Sequence, residues 1–436
     1  MKLYNWMPGV ALMAAGLSLA SCDDTPNAFE LTDGVPTIKF VRTTDPAAAD
    51  SLITGALLDK TICLVGENLT SIREMYFNDQ KAILNTSLIT DHTLVVTVPG
   101  NIPAEVSNKI FMTTKDGHHV EYPFKVNVPG PAVVSFSNEY ARPGETVTIT
   151  GNYFIDDPNV PLTITMPGGI KVPEANITSI SQSQIEFTVP EGAEEEGRIF
   201  VSTIYGEGRS NFYYHDTRGM LFDFDGMTGL DFANNCWHAQ EAKADEWSLS
   251  GKYVQLGDPS VTLDDTSWGD QNFSLEYWPG DWGLGVNSFP TSGQGMLLTD
   301  LVNFSDFENM GLKFEMCIPT ANPWSACAMQ IIFAPYSAVQ LTDANNQFFH
   351  ETPDLLPRAL YRPWQTTGSY DTGDKWVTVT VPFSAFSFDN EGGPSAGSLT
   401  PDHFATLTIF VWGGGISGTE CNPVIKIDNI RAVPLK

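Results

Sequence analysis

Basic residues are scarce in this chain: 23 Lys and Arg stand against 52 Asp and Glu, a net charge of −29 at pH 7. Phosphate backbones need cationic counter-charge, so nucleic acid is excluded as a partner and anionic polysaccharides are disfavoured. Charge of either sign is thin, at 17% of residues, whereas 42% are hydrophobic and 11% aromatic. A disordered polyanion has the opposite balance, so the chain folds. Cysteine is sparse too, with six residues and no C-x-x-C pair, which leaves no zinc or redox motif. Cys317 and Cys327 flank a predicted hairpin loop and could pair, but the scatter of Cys63, Cys236 and Cys421 favours buried free thiols. The seven His are dispersed, and the adjacent pair His118 and His119 sits in a turn. There is no G-x-S-x-G elbow, no P-loop and no H-E-x-x-H. The E-x-D-x-x-E spacing of jelly-roll glucanases is also absent. Tryptophan is missing from one long stretch, between Cys22 and Gly219, while nine of the ten lie between Met220 and Lys436.

At 436 residues the chain has room for two to four domains. Residues 1–21 read as a secretory leader: Lys2 is the one charge, and the apolar run Val10 to Leu19 is too short to span a bilayer as a helix. Leu19-Ala20-Ser21-Cys22 resembles a bacterial lipobox, which implies acylation of Cys22 and anchoring in the outer membrane. Asp23 and Asp24 resemble the export signal of Bacteroidota surface lipoproteins, and residues 22–34 read as a flexible tether.

From Val35 onward, short segments rich in Val, Ile, Thr and Phe alternate between Gly, Pro and Asn turns, an all-β pattern. Two modules repeat, at residues 35–129 and 130–217. Thr61-Ile62-Cys63-Leu64-Val65-Gly66 in one matches Thr146-Val147-Thr148-Ile149-Thr150-Gly151 in the other. Arg142-Pro143-Gly144-Glu145-x-Val147-x-Ile149-x-Gly151-x-x-Phe154 resembles the immunoglobulin-like IPT/TIG fold. Without tryptophan these modules read as spacers, joined semi-rigidly at Pro129-Gly130-Pro131 into a jointed rod. Residues 218–436 carry longer strands and read as one larger jelly-roll-like β-sandwich.

The axial C–H face of a neutral pyranose matches the electron-rich face of an indole, so Trp and Tyr in loops mark candidate sugar platforms. Trp324 lies in Ile318-Pro319-Thr320-Ala321-Asn322-Pro323-Trp324-Ser325-Ala326, and Tyr361 and Trp364 in Leu360-Tyr361-Arg362-Pro363-Trp364-Gln365. Their Pro- and Asn-rich context favours binding. Trp268, Trp278 and Trp282 occupy a turn-rich stretch where packing and binding are both open. Trp237 and Trp247 are undecided, and Trp376 and Trp412 stand on alternating strands, which favours packing. Asp223 and Asp225, on one predicted strand face, could join Asp428 around a structural Ca²⁺, though turn capping is the expected role. No other cofactor is expected.

Together with the lipobox and the TIG-like modules, Pro323-Trp324-Ser325-Ala326, Tyr361-x-x-Trp364, Gly373-x-x-Trp376-x-x-Val379-x-Val381-Pro382 and Ile427-Asp428-Asn429-Ile430-Arg431 carry a resemblance. The chain resembles the B-type surface glycan-binding proteins of Bacteroidota polysaccharide-utilisation loci, whose C-terminal domain binds xyloglucan. The resemblance implies a non-catalytic lipoprotein that captures a neutral plant polysaccharide, xyloglucan or another β-glucan, beside a SusC/SusD-like transporter. It also implies platform roles for Trp324 and Trp364, with Tyr361 beside them. The alternatives are an endo-acting glycoside hydrolase, which would need an opposed carboxylate pair, and a purely adhesive protein.

Overall fold

The structure is a computed structural model that describes residues 29–48, 50–233, 236, 238–264, 270–279, 296–335 and 355–436. Cys22, Trp237, Trp268 and Trp282 lie outside the described residues. Described helices are short: Asp270–Phe273, Leu298–Leu301 and several 3₁₀ turns. All other regular structure is strand. The chain forms two compact units, one ending at Val128 and the other running Pro129–Lys436.

In the first unit, Thr37–Thr43, Thr61–Glu67 and Thr93–Thr97 form one antiparallel sheet, and Gln80–Lys81, Ile72–Phe77, Lys109–Thr114 and His119–Pro123 form the other. Their alternating apolar residues meet in a core that includes Leu64, Met75, Phe77, Ile110 and Phe124. The second unit opens with a sandwich of the same design. Ala132–Phe136, Thr146–Asn152, Gln184–Thr188 and Ile177–Ile180 face Ile170–Lys171, Thr163–Met166, Phe200–Thr203 and Gly206–Arg209. One glycine in each sandwich explains why the repeat keeps that position. A Cβ on Gly66 would stand 1.9 Å from Thr37 O, and a Cβ on Gly151 would stand 1.9 Å from Ala132 O. Both glycines lie beside a bulge where the first strand shifts register, so the partner backbone approaches too closely for any side chain.

The C-terminal sandwich packs two sheets. The larger has the order Ala242–Lys243, Tyr253–Leu256, Ile425–Pro434, Met310–Cys317, Val377–Pro382, with Met220–Phe222 also paired to Ile425–Pro434. The smaller has the order Ser274–Tyr277, Thr406–Val411, Met329–Ala334, Arg358–Tyr361. Leu312, Phe314, Met316 and Ile427 from one sheet and Leu275, Tyr277, Ile331, Phe333 and Ile409 from the other share a single core.

The outer face of the larger sheet is not solvated. There the register shifts between Lys313↔Arg431 and Glu315↔Asp428, so the strand Ile425–Pro434 carries an extra residue, and Asn429 takes a left-handed φ of 50°. Asn tolerates that conformation better than most residues. The bulge turns Arg431 to the same side as Asp428 while Ile427 and Ile430 both stay in the core. Arg431 and Glu315 are each 0% exposed. The guanidinium donates to both Glu315 oxygens, at 2.7 and 2.9 Å, and through Nη2 to Glu139 Oε2 at 2.7 Å. Lys313 Nζ donates to the other Glu139 oxygen. Glu139 belongs to the preceding immunoglobulin-like module, so the module and the sandwich share one buried charge cluster. Around it, Thr378 N donates to Ser137 O at 2.8 Å, and Glu139 N donates to Thr378 Oγ1 at 2.7 Å. Tyr140 packs with Met220, Leu249 and Trp376. The second module, expected as a free spacer, is therefore built onto the sandwich.

Removing Arg431 strands the buried Glu315 carboxylate and leaves Glu139 with Lys313 alone, and breaking a buried pair in this way typically costs about 3–5 kcal/mol. Arg431→Ala is expected to lose that much in urea unfolding, and an unchanged midpoint would show the cluster to be energetically neutral.

Candidate functional site

Trp324 and Trp364 do not form a platform. Trp324 is 0% exposed and Trp364 is 4% exposed, and both belong to the sandwich core. Their polar edges are spent internally: Trp324 Nε1 donates to Ala326 O at 2.6 Å, and Trp364 Nε1 donates to Cys327 O at 2.8 Å. The backbone of Trp324 pairs with Tyr370 in both directions, at 2.9 and 2.8 Å. The proline-rich segments fold back as plugs at the sandwich edge instead of standing in solvent. Tyr361 is half-buried, with its ring centroid 6.2 Å from that of Trp324. Burial and a hydrogen bond with Tyr370 hold its hydroxyl protonated well above the usual range. Trp278 is 4% exposed at the end of Ser274–Tyr277, with its Nε1 donating to Thr408 Oγ1 at 2.8 Å.

The expected aspartate group is not a cation site. The strand stops at Phe222, and Phe224 has a φ of 56°, so Asp223 and Asp225 do not share a strand face. Asp223 accepts from the backbone N–H groups of Gly226 and Met227, and Asp225 accepts from Lys252 N. These are turn caps. Asp428 accepts from Asn429 N at 2.8 Å and Ser250 Oγ at 3.1 Å. Among the described residues no His, Cys, Asp or Glu cluster could hold a metal ion. The five described cysteines are free thiols, Cys317 and Cys327 included.

The sandwich has one further face, the outer side of the smaller sheet. Along Ser274–Tyr277, Leu275 and Tyr277 enter the core, so Ser274, Glu276 and the following Trp278 point away from it. Along Thr406–Val411 the same logic sends Thr406, Thr408, Phe410 and Trp412 outward, and along the other two strands Ala328, Gln330, Ile332, Arg358, Leu360 and Arg362. Register then arranges them in rows. Glu276, Thr408, Ile332 and Arg358 lie side by side, and Ser274, Phe410, Gln330 and Leu360 form the next row. One row further, Trp412 and Arg362 flank Ala328.

Polar groups on this face are fixed rather than loose. Arg358 Nη1 donates to Gln330 Oε1 at 2.9 Å, and Gln330 Nε2 donates to Trp412 O at 2.7 Å. Glu276 accepts from His238 N at 3.0 Å, with His238 Nδ1 2.9 Å from its other oxygen. Trp278, Ile332, Ala334, Leu356 and Phe410 form a buried apolar cluster, against which Trp412 packs half-buried. At that rim the Gly413, Gly414 and Gly415 turn, all with positive φ, lies against Arg362. Arg362 Nη2 donates to Gly414 O, while its buried Nε has no acceptor. The rim thus presents a half-buried indole and the exposed backbone of Gly415, beside a constrained guanidinium whose unpaired Nε is buried. Position 412 was read from sequence as packing, and Trp412 does pack half-buried against that cluster. Its phase puts it on the outer side, since it alternates with Thr406 and Thr408 rather than with Leu407, Ile409 and Val411.

The sandwich thus has one outer face joined to an immunoglobulin-like module and an opposite face that is buried except at its Leu360, Arg362 and Trp412 rim. Residues 214–434 match the surface glycan-binding protein B xyloglucan binding domain, and residues 131–214 match the IPT/TIG domain. The crystal structure of surface glycan-binding protein PbSGBP-B from Prevotella bryantii is 42% identical, with a TM-score of 0.82 over 93% of this chain and 100% of that one. An IPT/TIG domain-containing protein of Bacteroides ovatus is 29% identical over 198 residues, which is 42% of this chain and 39% of that relative. The chain therefore spans well under half of that curated relative's length. It belongs to the surface glycan-binding protein B family.

Since Trp324 and Trp364 are core residues, Trp324→Ala and Trp364→Ala are each expected to cost about 3–5 kcal/mol of stability. Thermal unfolding at wild-type temperature for either variant would contradict the burial described above. Burial pushes the Asp428 carboxyl up to about 8, from 3.8. The native state then holds this proton more tightly than the unfolded chain, so the ionised group opposes folding increasingly as pH rises between those values. Asp428→Asn is expected to gain stability relative to wild type from about pH 5 to about pH 8. Urea unfolding at both pH values checks this, and an identical difference at each would count against it.

Proposed function

We propose that this protein is a non-catalytic, cell-surface lipoprotein that captures a neutral plant β-glucan, xyloglucan foremost, at the half-exposed Trp412 rim of the smaller sheet. One observation carries the reading: Trp412 stands half-exposed at the rim of a sheet face whose polar side chains are already locked in place. A pyranose laid on the Trp412 indole buries its C–H face, and its hydroxyls find the exposed backbone of Gly415 beside it. Membership in a glycan-binding family supports the ligand class, and the net charge of −29 favours neutral over acidic glycans. Among the outward positions of these four strands the one carboxylate is Glu276, engaged by His238. Hydrolysis of a glycosidic bond uses two opposed carboxylates. The lipobox-like Leu19-Ala20-Ser21-Cys22 supports anchoring through acylated Cys22, and from there delivery to a SusC/SusD-like transporter.

Calorimetry of the full chain against xyloglucan tests the site. Trp412→Ala is expected to weaken binding by about 2 kcal/mol or more, as for a central aromatic anchor, with the fold retained by circular dichroism. Unchanged affinity would move the site elsewhere. Release of reducing sugars during prolonged incubation with xyloglucan would favour the hydrolase instead.

A further inference from the structure

A second feature lies where the immunoglobulin-like module meets the sandwich, on the side away from the face just described. A cleft of about 480 Å³ opens there, with Thr146 and Thr148 on the module's wall and Trp247 and Trp376 on the sandwich's wall. That size falls within the range of small-ligand sites, which favour domain junctions. Both indoles are half-buried. Trp376 is held rigidly, with its Nε1 donating to Trp247 O at 2.8 Å and its ring edge-on to Tyr253 at 5.8 Å. Trp247 has one face over Lys426 Nζ, 4.8 Å from the ring centroid, and no described residue accepts from its indole N–H.

The two walls are braced across the junction. Arg142 of the module donates through Nη2 to the carbonyls of Ser248 and Leu249, the two residues that follow Trp247. This commitment removes the guanidinium as an anion receptor. The remaining charged groups at the opening, Glu145, Glu246 and Asp374 against Lys375, leave a negative balance. An anionic ligand is repelled, an apolar one would desolvate these groups without return, and a neutral polyhydroxylated ligand is matched by indoles, hydroxyls and carboxylate acceptors together.

We propose that this junction cleft is a second saccharide subsite, with Trp247 as its stacking ring, so that one long neutral glycan engages the protein at two places. The inference rests on the glycan-binding reading above but uses none of its residues. Two sites on one polymer raise avidity without any new contact type, because the second engagement is intramolecular.

The test is calorimetry of the full chain with a short xyloglucan oligosaccharide and, separately, with the polysaccharide. Wild type is expected to bind about two oligosaccharides per chain, and Trp247→Ala about one, with polysaccharide affinity falling by about tenfold or more. Trp412→Ala is expected to keep the junction site's single equivalent, and Trp247→Phe to restore the second. A wild-type stoichiometry of one that Trp412→Ala abolishes would overturn the second subsite and leave the first intact. Absence of any binding by wild type would overturn the glycan reading itself.

Discussion

The second unit depends on a charge cluster that neither of its halves could bury alone. Glu139 comes from the immunoglobulin-like module, and Lys313, Glu315 and Arg431 come from the sandwich. Desolvating four ionised groups is costly, and the cost is offset only if each finds its partner. With the module absent, the Arg431 and Lys313 side would face water across an otherwise flat sheet. With the module present, Glu139 accepts from both cations, and Tyr140 lies 5.1 Å from the Arg431 guanidinium. Burial raises the Glu315 carboxyl even as Arg431 beside it favours ionisation, and the Arg431 guanidinium is driven still further toward permanent charge. A pair so opposed tolerates little displacement. The module is thus held in one orientation, and it is part of the binding unit rather than a detachable stalk.

That constraint divides the sandwich. A two-sheet sandwich has an inner core and two outer faces, and the cluster together with the module covers the middle of one of them. The bulge at Asn429 is what makes this possible, because without the extra residue Arg431 would alternate into the apolar core. The outer side of the smaller sheet is itself buried over Glu276, Thr408, Ile332, Arg358, Gln330 and Phe410, and only its rim at Leu360, Arg362 and Trp412 is half-exposed. Its buried polar groups would be unfavourable in a purely structural sheet unless satisfied. Arg358 donates to Gln330, Glu276 accepts from His238 N and Thr408 accepts from Trp278, which satisfies much of that need while fixing the side chains that approach the rim.

Much of this architecture was legible in the sequence. Period-two alternation gave the strands, and the duplicated Gly66 and Gly151 marked a backbone approach that admits no Cβ in either module. The concentration of tryptophan after Met220 pointed to the correct domain. Context failed for the individual rings. Proline and asparagine around Trp324 and Trp364 predict a loop, but a loop's composition does not say whether it projects or tucks under, and here both indoles donate to the carbonyls of Ala326 and Cys327. The charge cluster was invisible for another reason: Glu139 and Arg431 are 292 positions apart, and nothing local to either residue signals the other. Even the Asp428-Asn429-Ile430-Arg431 run, recognisable as a pattern, gave no hint that its work is to hold a neighbouring module.

Strand phase is the better guide to aromatic function in such a domain. A tryptophan in phase with Leu407, Ile409 and Val411 would have entered the core, whereas Trp412 shares its phase with Thr406, Thr408 and Phe410 and must leave it. An aromatic ring among threonines on a strand breaks the usual polar-out pattern, and something has to compensate for its exposure. Here part of the compensation is internal, because Trp412 packs against the cluster of Trp278 and Phe410. Trp412 is left half-buried, beside a guanidinium that the Gly413–Gly415 turn holds in place and whose buried Nε has no acceptor. A ring fixed in this way loses little entropy when a ligand stacks on it, which is the term that a conformationally stiff sugar chain would exploit under the proposed function.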